Sequence, residues 1–61
     1  MYKENDKVKA PVKDKLIPGI VNRVEDAKGF RGFKYQHVWV EFEDGTITKF
    51  RDYDIHLILK E

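Results

Sequence analysis

The chain has 61 residues, carries 12 Lys+Arg against 11 Asp+Glu for a formal charge of +1, and contains no cysteine. This length allows one domain, spanning residues 1–61, and the missing cysteines exclude disulfide staples and thiolate-built zinc sites. The balanced charge argues against a uniformly basic binder, and no apolar run approaches the roughly 20 residues that span a bilayer.

The polar start Met1-Tyr2-Lys3-Glu4-Asn5-Asp6 has no secretory pattern, so a cytoplasmic location is expected. The first strand is predicted at Lys7–Lys13, with Val8, Ala10 and Val12 on one face and Lys7, Lys9 and Lys13 on the other. Pro11 cannot donate to a ladder, which places this strand at an edge, where its lysines discourage aggregation. Lys13-Asp14-Lys15 reads as a turn. Ile17-Pro18-Gly19 then leads into a second strand, Ile20–Glu25, with Gly19 marking a bulge or a close backbone approach. Asp26–Lys34 reads as a loop holding two glycines and two phenylalanines.

Tyr35–Glu43 is the third strand, and its alternation is the clearest signal in the chain. If Val38, Val40 and Phe42 point inward, Trp39 must point outward, because side chains alternate faces along a strand. Asp44-Gly45 turns the chain into Thr46–Arg51. A two-residue turn would pair Trp39 with Phe50; a three-residue turn with a left-handed Gly45 would pair Val38 with Phe50. The second register is preferred because it puts Phe50 beside the inward valines. Asp52-Tyr53-Asp54 suits one 3₁₀ turn, with Asp52 and Asp54 as its caps. Ile55–Leu59 is a last short strand, with either Ile55 and Leu57 or His56 and Ile58 facing inward. No segment has helical periodicity over ten residues. The expected class is all-β, five short strands with one 3₁₀ turn before the last.

Lys7-Val8, Pro18-Gly19-Ile20-Val21, Val38-Trp39-Val40-Glu41-Phe42, Asp44-Gly45 and Asp54-Ile55, in this order, resemble a Tudor-type SH3-like barrel over about Asp6–Leu59. The resemblance implies a small five-stranded barrel whose second strand opens at the Pro-Gly pair. It also implies a module that binds protein or nucleic acid and performs no chemistry. Members of the family that read methylated lysine or arginine place cage aromatics where this chain has Val12 and Leu16-Ile17. An aliphatic wall lacks the negative π-face that attracts such cations, so the departure speaks against methyl-mark reading.

Two surfaces carry the functional expectation. Lys28, Phe30, Arg31, Phe33, Lys34 and Tyr35 interleave three cations with three aromatics around Gly29 and Gly32. Cations neutralise phosphates and rings stack on unpaired bases, so this loop is the nucleic-acid candidate. Its bland reading is a plug, with Phe30 or Phe33 folding back over an open barrel end. Tyr35, His37 and Trp39, with Glu41, form the second surface, a stripe suited to a protein partner or a homodimer. Its bland reading is cover from within the chain by the 26–34 loop or by Tyr2. Lys7, Lys9, Lys13, Lys15 and Arg23 could form a basic strip, or serve solubility alone.

Chemistry finds little footing: the chain has no serine, and His37 has no nucleophile beside it. Glu41, Glu43, Asp44, Asp52 and Asp54 match no cation-binding spacing. The expectation is a non-enzymatic binding module without metal, cofactor, membrane or small-molecule substrate. Nucleic acid is its first partner and a protein or second copy its alternative.

Overall fold

A computed structural model describes residues 2–58. Five antiparallel strands form one sheet in the order β4-β3-β2-β1-β5: β1 Lys7–Val12, β2 Lys15–Lys28, β3 Lys34–Phe42, β4 Ile47–Arg51 and β5 His56–Leu57. Two 3₁₀ turns, Phe30–Gly32 and Asp52–Asp54, sit between β2 and β3 and between β4 and β5. Among the described residues no helix is long and apolar enough to cross a membrane.

Among the described residues the closed barrel expected from the sequence is not formed: β4 and β5 are the two outer strands and do not pair. The chain leaves β4 through the Asp52–Asp54 turn, and only two residues of β5 join the sheet, against Val8 and Lys9 of β1. Ile58 N–H extends that contact by donating to Lys7 O at 2.9 Å. Leu59, expected in the last strand, lies outside the described residues.

The first hairpin is tighter, and the second strand longer, than the expected Ile20–Glu25. Lys13 (φ 47°) and Asp14 (φ 69°) are both left-handed, and pairing starts at once with Val12 opposite Lys15. This two-residue turn makes Val12–Lys15 a hydrogen-bonded pair, so alternate pairs down the ladder are bonded. Pro11, opposite Leu16, and Pro18, opposite Lys9, fall at the unbonded positions, where β1 and β2 require no donor. A mid-strand Pro18-Gly19 is therefore tolerated instead of marking the strand's start.

Gly19 is a site of close approach: a Cβ there would lie 2.5 Å from Val40 Cγ1 and 3.0 Å from Glu41 O. The bulge lies further on, between Val21 and Arg23, where Asn22 is the extra residue. Asn5 N–H donates to Val21 O and Val21 N–H donates to Asp6 O, both at 2.8 Å, so the N-terminal segment grips β2 beside the bulge. Beyond it β2 pairs with β3 out to Lys28 opposite Lys34, which converts most of the expected 26–34 loop into hairpin.

The β3–β4 register has Val38 opposite Phe50, with Gly45 at φ 91°. Thr46 N–H donates to Asp44 Oδ1 at 2.9 Å and holds that carboxyl below the usual range. Val8, Ala10, Val21, Val38, Val40 and Ile55 make the core, with Tyr2, Val24, Phe42 and Phe50 against it. Val12, expected beside Val8 and Ala10, is exposed near the turn, and Leu57 is exposed where Ile55 is buried.

Tyr2 closes the end of this core. Its hydroxyl donates to Ile55 O at 3.0 Å and its backbone N–H to Gln36 Oε1 at 2.9 Å. Asp52 and Asp54 do not cap their turn. Asp52 Oδ2 instead accepts from Gln36 N–H at 3.2 Å, replacing a ladder bond past the end of β4, and Asp54 pairs with Arg51 at 3.3 Å.

Gly19→Ala is expected to destabilise the fold by about 1–3 kcal/mol, because the added methyl meets packed neighbours; an unchanged urea midpoint would contradict the tight approach. Burial first, then Asp52 and Asp6, raise the Tyr2 phenol above its ordinary value. Its stabilisation is therefore full below the unfolded phenol value of about 10 and is lost as pH rises through the folded one. Stability should fall more steeply above about pH 10 in the wild type than in Tyr2→Phe, measured by urea titration at each pH; parallel profiles would refute the coupling.

Candidate functional site

Strand alternation separates β3 into a buried series, Gln36, Val38 and Val40, and an outward series, Tyr35, His37 and Trp39. The outward residues are half-buried because they cover one another. Phe33 stacks on Tyr35 with centroids 5.9 Å apart and planes 22° apart. Tyr35 meets His37 edge-on at 5.2 Å, and His37 meets Trp39 at 6.2 Å. Tyr53, from the second 3₁₀ turn, packs edge-on against both Phe33 and Tyr35 at 6.1 and 6.0 Å. The two surfaces expected separately thus join into one aromatic strip running from the β2–β3 tip to Trp39.

Cations line this strip. The register puts Arg23 on one side of Trp39 and Lys49 on the other. The Arg23 guanidinium lies 4.4 Å from the indole centroid and the Lys49 ammonium 5.9 Å. Arg51 lies opposite His37 and 5.3 Å from the Tyr53 ring. Tyr53 foremost, then Asp54, raise the Arg51 pKa above its ordinary value. Trp39 is therefore covered by neither Tyr2 nor the β2–β3 tip. Two cross-strand cations flank it, an arrangement worth about 0.5–1 kcal/mol per pair at exposed sites. Glu25 answers Arg23 at 3.4 Å.

The plug reading of the tip fails: Phe30 is 84% exposed and Phe33 56%. Phe30 stands clear of the strip with Arg31 5.4 Å from its ring. Arg31 is left-handed at φ 58°, and Gly32 follows at φ 77°, so the chain reverses within these residues. Gly29 N–H bonds to Phe33 O and closes the reversal. Lys28 and Lys34 face each other across the hairpin and are exposed. Of the expected nucleic-acid residues, Phe33 and Tyr35 lie on the strip, Lys28 and Lys34 lie on the opposite face of the hairpin with Gln36, and Phe30 and Arg31 project beyond the strip.

The sequence reading missed Tyr53, Lys49 and Arg51 as members of the site. Pairing Val38 with Phe50 already implies Lys49 beside Trp39 and Arg51 beside His37. The partnership of Arg23 with Trp39 depends on the Asn22 bulge, which no turn residue announces. Among the described residues His37 Nδ1 is buried without a hydrogen-bond partner, and the ring packs between Tyr35 and Trp39. Among the described residues no group of three or more His, Cys, Asp or Glu could hold a metal ion.

No protein family, curated protein or solved structure matches the chain.

Replacing both Arg23 and Lys49 by alanine is expected to expose the indole: Trp39 emission should shift to the red and acrylamide quenching should rise. Unchanged quenching would mean that the aromatic neighbours alone cover the ring.

Proposed function

We propose that this chain is a non-enzymatic Tudor-type module of SH3-like architecture that binds single-stranded nucleic acid along its aromatic strip. The succession of five antiparallel strands with a 3₁₀ turn before the last supports the architecture. The observation that carries the function is the continuity of Phe33, Tyr35, His37 and Trp39 along one sheet face, bordered by Arg23, Lys49 and Arg51. Outward residues of a strand recur about every 6.6–6.8 Å, so the rings form a row of apolar platforms against which unpaired bases can stack. Arg31 at the tip and Arg23, Lys49 and Arg51 along the strip neutralise phosphates beside those platforms, while Lys28 and Lys34 stand on the other face of the hairpin.

The overall charge of +1 does not oppose this reading, because the basic groups are local. Glu25, Glu41 and Asp54 are acidic residues near the rings, with Glu25 engaged by Arg23 and Asp54 by Arg51. A row of exposed rings suits a strand whose bases are free; duplex bases are already stacked on each other. The homodimer alternative through Tyr35, His37 and Trp39 uses the same rings and differs in depending on protein concentration alone.

The test is a titration of an octamer of thymidylate, followed by Trp39 fluorescence at low salt. With about four phosphates neutralised, log K should fall with log salt at a slope of about −3. Phe33→Ala, at an exposed position, should weaken binding about 5- to 100-fold by removing one stacking platform. Absence of binding to single strands at low salt would refute the proposal. A fluorescence change that tracks protein concentration alone would establish the dimer instead.

A further inference from the structure

We infer that the outer sheet face away from the β2–β3 tip, centred on Ile20, is a self-complementary surface through which two copies of this chain pair about a twofold axis. The register sets five residues in one cross-strand row. Lys7 of β1 lies opposite Ile20 of β2, Ile20 opposite Glu41 of β3, and Glu41 opposite Ile47 of β4. At the other edge Ile58 N–H donates to Lys7 O, which carries the row past the end of β5. Strand alternation puts Lys7, Ile20 and Glu41 on the face away from the buried Val8, Val21 and Val40. Leu57 lies opposite Val8 and shares its face, so Ile58 falls on the outer one.

From edge to edge the row reads isoleucine, lysine, isoleucine, glutamate, isoleucine. Its apolar members are symmetric about Ile20 and its charges are antisymmetric. Neither charge is spent within the chain: among the described residues the ion pairs are Arg23–Glu25 and Arg51–Asp54. Lys7 and Glu41 stand two strands apart, about 9–10 Å between backbones, with Ile20 between them. Ile20 and Ile47 are 48% and 47% exposed.

A twofold axis lying along β2 in the plane of contact exchanges the β1 and β3 sides of the sheet. Ile20 then meets its own counterpart, each Lys7 meets the other copy's Glu41, and each Ile47 meets the other copy's Ile58. An axis across the strands would set lysine on lysine and glutamate on glutamate, so the charges select one orientation. The neighbouring positions repeat the polarity. Lys9 lies opposite Pro18, and Glu43, just past the end of β3, borders the same surface as Pro18 and Ile20. The isoleucines supply the association and the ion pairs its orientation. Such a contact is isologous and closes at two copies. It is small among specific interfaces, so the dimer forms and dissociates with concentration. Tyr35 lies six residues along β3 from Glu41, about 20 Å, which separates this pairing from a dimer through the rings.

The test is sedimentation equilibrium of the whole chain from about 1 μM to 1 mM, over which a monomer–dimer transition is expected. Lys7→Glu and Glu41→Lys, both at exposed positions, should each weaken association roughly 5- to 50-fold, because each sets two like-charged pairs across the axis. An equimolar mixture of these two variants should dimerise about as well as the wild type, since every charge again faces its opposite. The chain carrying both changes should recover in the same way. Phe33→Ala should leave the transition unchanged. A monomer at every concentration would overturn the inference. So would a mixture that associates no better than either variant alone, or a dimer lost in Phe33→Ala and kept in both charge variants.

Discussion

The two-residue period of β3 is the constraint on which both faces of this molecule depend. Each residue that β3 sends into the core obliges its neighbours to stand on the other side of the sheet. The wall of Gln36, Val38 and Val40 therefore brings the row of Tyr35, His37 and Trp39 with it. In a larger domain such a row would be roofed by a second layer. Here the rings shelter each other, and cations from β2 and β4 shelter the last of them. Stability and binding share the same strand, so neither can be altered there without touching the other.

The small core explains why the ends of the chain matter. Its buried members are five aliphatic residues of the strands β1 to β3 and Ile55, and a domain this short buries only about 60% of its unfolded surface. Tyr2 contributes from outside the sheet by joining Ile55 O and Gln36 Oε1 across the open end. The same anchoring fixes the Gln36 amide. Asp52 ends the β3 ladder with one oxygen and lines the hollow beneath the β2–β3 tip.

Much of this was legible in the amino acids because it follows from short-range rules. Val38-Trp39-Val40 gave the inward and outward series, Asp44-Gly45 gave the left-handed turn and the register with Phe50, and Asp52-Tyr53-Asp54 gave the 3₁₀ turn. The misreadings have a common physical cause. Asp26, Ala27 and Lys28 look like loop residues, but opposite Gln36, Tyr35 and Lys34 they continue a ladder whose side chains need not be apolar. Pro18-Gly19 looks like the start of a strand, but hydrogen-bond phase lets a proline sit inside one. Barrel closure was inferred from the succession of elements, whereas it depends on lengths, and β5 contributes only His56 and Leu57. The hollow lined by Asp26, Lys28, Lys34, Gln36 and Asp52 was invisible to sequence because its residues come from three separate segments.

The single inserted residue at Asn22 has a further meaning. Before it, odd-numbered positions of β2 face the valine cluster; after it, even-numbered ones do. Any indel in the tip-proximal half of this strand must therefore conserve parity, or the arginine beside the indole would be driven inward and Val24 out to water. Deleting Asn22 itself would instead straighten the ladder and leave Arg23 opposite Trp39 and Val24 opposite Val38. The reversal at Gly29–Phe33, with no side chain committed to the interior, is free of that arithmetic. Length variation should accumulate at the reversal and be purged a few residues earlier.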